Sequence, residues 1–219
     1  YPQVHTLRPE FLRAITPGGP GGMRSSRRLG HGEDYFGTRE YRPGDSVRQI
    51  AWKRGAGLDE LVSIERTQPS PPRLRVILNL LRPTADLRTD PHERFSPRDL
   101  EERAISLVAS VLAAAESQGY EVGLTVLGLD VPPSPLRRGY RHLQRLMAAL
   151  AGLDLGRPRL PRGDDPVADA ERAGLIVVSA DRADPGIVGP AGTGSLHLTA
   201  RQLDDLVVDS APAREGVPT

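Results

Sequence analysis

Leu74-Arg75-Val76-Ile77-Leu78-Asn79-Leu80-Leu81 is a short, almost unbroken apolar run. Such a run marks a strand covered on both faces, as in a parallel sheet. About fifteen residues later, Ser96-Pro97-Arg98-Asp99 opens a helix with a capping hydroxyl, proline at the first position and an acid at the third. Leu100, Ala104, Leu107, Val108, Val111, Leu112 and Ala115 then recur at helical spacing, and Gly119 ends the helix. Val122 to Leu127 reads as the next strand. Strand, helix and strand together make a βαβ unit with a right-handed crossover, which places the chain in the α/β class.

Reading outward towards the C-terminus, Leu143, Leu146, Met147 and Leu150 give a second helix, and Leu175 to Val178 a third buried strand. Leu196 to Leu198 is a fourth strand, followed by a helix that Thr199 and Gln202 can cap reciprocally. Residues 209–219 read as a flexible tail. Towards the N-terminus, Pro69-Ser70-Pro71-Pro72 reads as a stiff linker and the domain boundary. The expected division is therefore an N-terminal segment over 1–72, an α/β domain over 73–208 and the tail. Within the first segment, Pro17 to Gly22 is too rich in glycine for a regular element and reads as a loop. Arg24, Arg27 and Arg28 would follow it on a solvated loop. Thr38 to Tyr41 is a short expected strand and Pro43-Gly44 supplies a turn. Asp45 caps a short helix reaching Lys53, and Leu61 to Thr67 reads as a second strand.

Composition excludes several classes. The 219 residues include no cysteine, so there is neither a disulfide framework nor a thiolate metal site. No apolar run approaches the roughly 18 residues a membrane span requires, and no signal peptide is evident. The net charge is +1, split as +5 over residues 1–75 and −4 over the rest. That asymmetry is too mild to call for nucleic acid.

Catalytic signatures are largely missing. The only lysine, Lys53, lies between Trp52 and Arg54 rather than in a phosphate-binding loop. Gly189, Gly192 and Gly194 precede an expected strand, whereas a dinucleotide loop must follow one. No serine sits in a nucleophile elbow. The five histidines are scattered, and no two share metal-ligand spacing. His31, Glu33 and Asp34 are close enough for a metal or hydrolytic reading. A hard cation, however, wants oxygens converging from more than one segment.

The most distinctive words are Gly32-x-Asp34-x-Phe36 and Arg39-Glu40-Tyr41-Arg42-Pro43-Gly44-Asp45-x-x-Arg48-x-Ile50-x-Trp52-Lys53. They resemble the signature of the domain-of-unknown-function 58 family of bacterial proteins. The downstream order of strands and helices resembles the von Willebrand factor A-like domain such proteins carry. The resemblance implies a Rossmann-like, mostly parallel sheet with flanking helices, preceded by an irregular signature segment. Many relatives keep Asp-x-Ser-x-Ser at the end of the first sheet strand to hold a divalent cation. Here the matching stretch is Asn79-Leu80-Leu81-Arg82-Pro83. Leu81 and Pro83 have no side-chain oxygen, so the metal site is expected to be degenerate and the protein to carry no cofactor. Asp181, near the place where relatives supply an acid to the ion, would then need a counter-charge. Arg82 is expected to provide it, in an exposed pair worth about 0–1 kcal/mol.

The resemblance further implies a non-catalytic interaction or scaffold module. Its partner would be a MoxR-type AAA+ ATPase in a membrane-linked assembly. An upstream hairpin would hold the full-length protein at the membrane, with this part on the cytoplasmic face. Within the signature, Asp45 caps, Pro43-Gly44 turns and Trp52 is expected to be buried against the α/β domain. Arg39, Tyr41, Arg48 and Lys53 are left between a structural role and a partner surface. The competing class is a hydrolase or metal-dependent binding domain using Asp181 or the His31, Glu33 and Asp34 group.

Overall fold

The computed structural model describes residues 2–8, 10–11, 24–43, 46, 50–51, 62–89, 94–161, 173–187 and 195–208, with backbone alone at 24–37, 39 and 65–70. The chain forms two compact units, one made of Tyr1–Pro20 with Arg73–Thr219 and the other of Gly21–Pro72. One break falls after Pro72. The first twenty residues, however, group with the α/β unit instead of the signature segment. Backbone pairing explains why. Arg8 N donates to Leu206 O at 3.0 Å, Val208 N to Thr6 O at 2.8 Å, and His5 N to Ser110 Oγ at 2.9 Å. Leu7 is thereby carried into the main core.

The smaller unit contains β1 (Arg24–Glu40) paired antiparallel with β2 (Val62–Ser70). The expected loop around Arg24, Arg27 and Arg28 is therefore extended backbone in a ladder. Its register slips between Ser26 and Leu29, again between Gly30 and Tyr35, and once more before Gly37. Each slip inserts unpaired residues and resets the alternation of side chains, which is why no period of two shows in the sequence. Ile50 forms an antiparallel bridge to Ser63, and Ala51 N donates to Val62 O at 2.8 Å. A helix from Asp45 to Lys53 accordingly does not run through Ile50, whose backbone is committed to β2. The expected loop at 17–22 and tail at 209–219 lie outside the described residues.

The larger unit is a four-stranded, wholly parallel sheet in the order β4-β3-β5-β6. Its strands are β3 (Arg73–Asn79), β4 (Glu121–Leu127), β5 (Gly174–Ser179) and β6 (Ser195–Thr199). Helix α1 (Pro97–Ser117) joins β3 to β4, α2 (Tyr140–Ala151) follows β4, and the single turn α3 (Leu203–Leu206) follows β6. At the head of α1, Asp99 N donates to Ser96 Oγ while Ser96 N donates to the Asp99 carboxylate, completing a capping box. Thr199 and Gln202 form a second such box on a 3-10 turn that leads into α3.

Alternation along the strands separates two apolar faces. Leu74, Val76, Leu78, Val122, Leu124, Val126, Ile176 and Val178 share one cluster with the buried stripes of α1 and α2. Ile77, Leu127, Leu175, Val177 and Ile187 form a second cluster on the other side. Burying each such aliphatic side chain is worth about 1.5–3 kcal/mol. The one buried charge in β3, Arg75, is only 2% exposed. Its guanidinium crosses Gly123, where a Cβ would approach Nη1 to 2.8 Å, and donates to Ser134 O at 2.5 Å. The free edge of β4 is covered by the stretch from Ser134 to Arg137. Val122 and Arg137 exchange backbone hydrogen bonds at 2.9 and 3.1 Å, and Ser134 N donates to Leu124 O.

Candidate functional site

The strand order reverses between β3 and β5, because the chain leaves β3 for one neighbour and returns to the other. In open parallel sheets the crevice beyond the carboxyl ends at such a reversal is where ligands sit. Here the crevice is built from the end of β3 (Asn79 to Arg82), the loop through Arg88, the start of α1 and the end of β5 (Ser179 to Arg182).

Asp181, immediately beyond β5, has a side chain only 3% exposed. Arg82 Nη1 donates to both of its oxygens, at 2.9 and 3.0 Å, and Arg88 N donates to Oδ2 at 3.3 Å. Arg201, from the 3-10 turn after β6, donates to the carbonyl oxygens of Asp181 and Arg88. Asn79 bridges the two strand ends: Nδ2 donates to Ser179 Oγ at 3.3 Å and Oδ1 accepts from Leu81 N at 3.2 Å. Leu81 itself packs on the second apolar cluster.

A second carboxylate lies beside the first. Glu101, on α1, is fully buried. It accepts from Thr84 Oγ1 at 3.0 Å and from Arg159 Nη2 at 2.5 Å. Arg159 is itself 4% exposed. The cavity bordered by Asn79, Arg82, Glu101, Ser179 and Asp181 has a volume of about 10 Å³, the space of one water at most.

These donors do not fit a divalent cation. Such an ion wants several free oxygens in near-octahedral array. The Asn79 oxygen is taken by Leu81 N, and each of the two carboxylates already holds a guanidinium. Leu81 and Pro83 offer no side-chain oxygen. Among the described residues, no group of three or more histidine, aspartate or glutamate side chains could hold a metal.

Sequence reasoning singled out Asn79, Leu81, Arg82, Pro83 and Asp181, and the structure brings all of them to this edge except Pro83, which is exposed and opens the 3-10 turn at Thr84–Asp86. The Arg82 and Asp181 pair is present, but it is not the exposed pair expected, because Asp181 is buried. Glu101 and Arg159 were overlooked. One signal was available: Glu101 lies three and seven residues before Ala104 and Val108, on the apolar side of α1. Arg39 stands opposite Ser63 in the β1–β2 ladder, and Tyr41 is half-buried just beyond it. Gly44, Asp45, Arg48, Trp52 and Lys53 lie outside the described residues. His31, Glu33 and Asp34 fall in the irregular stretch of β1 between Gly30 and Tyr35, both of which pair with Arg66.

Fold and site together define a parallel α/β domain whose ligand-side crevice is closed by arginine–carboxylate pairs. The profile of the family described as "Protein of unknown function DUF58" matches residues 37–195, and the chain belongs to that family. No curated protein and no solved structure matches it. No helix among the described residues is long and apolar enough to cross a membrane.

Proposed function

We propose that this chain is a non-catalytic protein-interaction module of Rossmann-like, von Willebrand factor A type. It serves a membrane-linked assembly that works with a MoxR-type AAA+ ATPase. An upstream segment would hold the full-length protein at the membrane with this part on the cytoplasmic face. One observation carries the reading: among the described residues, both acids lining the cavity at the ligand-side crevice are paired with arginines, leaving a space no larger than a water. A general base needs a carboxylate able to take a proton from a substrate within hydrogen-bond reach. Asp181 is buried, and its oxygens already accept from Arg82 and from Arg88 N. That arrangement argues against the hydrolase alternative at this edge.

The test is co-purification of the tagged full-length protein with a MoxR-type ATPase from the same cell, followed by gel filtration of the pair. A stoichiometric complex supports the module. Absence of a complex, together with a hydrolytic activity lost in Asp181→Asn, would replace it with the enzyme.

A further inference from the structure

The crevice is closed to small molecules, yet its rim carries a specific set of exposed arginines. Arg82 uses only Nη1 on Asp181, and its side chain remains 31% exposed. That leaves Nε and Nη2 available at the surface. Arg88 and Arg182 are both exposed, and among the described residues their side chains have no hydrogen bond or ion pair. Arg88 is fixed next to Asp181 through its own backbone N, and Arg182 is the residue after Asp181. Arg201 ties the two backbones together through the carbonyls of Asp181 and Arg88. The Arg82 guanidinium and the Arg88 and Arg182 backbones thus meet at one buried carboxylate on a frame pinned from three segments. Apart from Asp181, the acids closest to the rim in sequence are Asp86, Asp90 and Asp184, and Asp184 Oδ1 accepts from Gly186 N in a local turn.

We infer that this rim is a docking surface for an acidic stretch of a protein partner, with Arg82, Arg88 and Arg182 receiving its carboxylates. This deepens the interaction-module reading and rests on it. Planar guanidiniums suit carboxylates in paired hydrogen bonds. A rigid backbone frame lowers the ordering cost of such contacts. The presence of Asp86 and Asp184 suits discrete carboxylates on a protein better than the continuous charge of a nucleic acid or polyphosphate.

A fluorescein-labelled decaglutamate peptide, followed by anisotropy at about 0.1 M salt, serves as the probe. The double reversal Arg88→Glu with Arg182→Glu should weaken its binding at least about tenfold. Arg88→Gln with Arg182→Gln should give an intermediate loss. Reversing two exposed arginines of α2, Arg141→Glu with Arg145→Glu, should change it less than about twofold, since screening confines surface charges to roughly 10 Å. Unchanged melting temperature certifies the fold of each variant. No binding to the parent, or an equal loss in the α2 control, overturns the assignment. A MoxR-type ATPase that binds parent and rim reversal alike also removes the rim while sparing the module. An edge-specific loss of decaglutamate with no ATPase binding keeps the rim and removes that partner.

Discussion

Arg82→Ala removes the only side chain among the described residues that pairs with Asp181, and the burial of that carboxylate sets the cost. Asp181 is 3% exposed and would keep one weak donor, Arg88 N at 3.3 Å. Breaking a fully buried pair from one side costs about 3–5 kcal/mol, whereas an exposed pair is worth about 0–1 kcal/mol. With Arg82 itself 31% exposed, water can partly replace it, so a loss near 2 kcal/mol is expected for Arg82→Ala on the scale of a charge-assisted hydrogen bond. Asp181→Ala should cost less, about 1 kcal/mol, because the freed guanidinium can turn to solvent. The double variant should then be more stable than the sum of the single losses implies, with a coupling of about 1 kcal/mol. Urea unfolding of all four proteins, followed by far-ultraviolet circular dichroism at neutral pH, measures it. Losses that add within about 0.3 kcal/mol would refute the coupling and with it the account of the closed crevice.

Arg159→Ala should cost about 3 kcal/mol, the lower end for breaking a buried pair, because the fully buried Glu101 keeps Thr84 Oγ1 and an Arg98 guanidinium at 3.7 Å, and joint replacement of Arg159 and Glu101 by leucine should recover much of that in the same assay. Gly128 has φ +90, and a Cβ there would lie 2.2 Å from Leu80 O; Gly128→Ala should therefore destabilise by about 3 kcal/mol, the upper range for local backbone strain, read as a lowered urea midpoint. Hydrogen bonds from the Ser96 side chain and backbone hold the Asp99 carboxyl below its usual value. A depressed folded value contributes stability above the unfolded carboxylate value that is lost as pH falls through the folded one. The gap in stability between parent and Ser96→Ala should narrow on acidification, and a nuclear magnetic resonance titration should show Asp99 rising towards its ordinary range in the variant; a gap independent of pH would contradict this. Calorimetric titration with Mg²⁺ or Mn²⁺ should give no saturable isotherm, and a one-site isotherm abolished by Asn79→Ala would overturn the reading of the strand-end loop.

Local chemistry was legible without coordinates wherever one segment carried its own explanation. The run from Leu74 could only be a covered strand, and Ser96-Pro97-Arg98-Asp99 announced α1 because a cap is made within four residues. The apolar stripe of α1 reported its buried face through helical spacing alone, and Thr199 with Gln202 announced the turn after β6 in the same way. The parallel α/β class followed. Beyond that the sequence failed for identifiable reasons. The part of β1 before the expected strand at Thr38 was hidden because its bulges erase alternation, and Ile50 was misassigned because a bridge to β2 outweighs local helical spacing. The burial of Arg75 depends on Gly123 of the neighbouring strand and on a carbonyl 59 residues away. The strand order, and with it the crevice, arises from pairing between distant segments. Arg82 reaches Asp181 across 99 residues and Arg159 reaches Glu101 across 58. The sequence determined which groups carry charge. Only the tertiary structure decided which charges lose water together, because desolvation depends on what surrounds a group in space rather than along the chain.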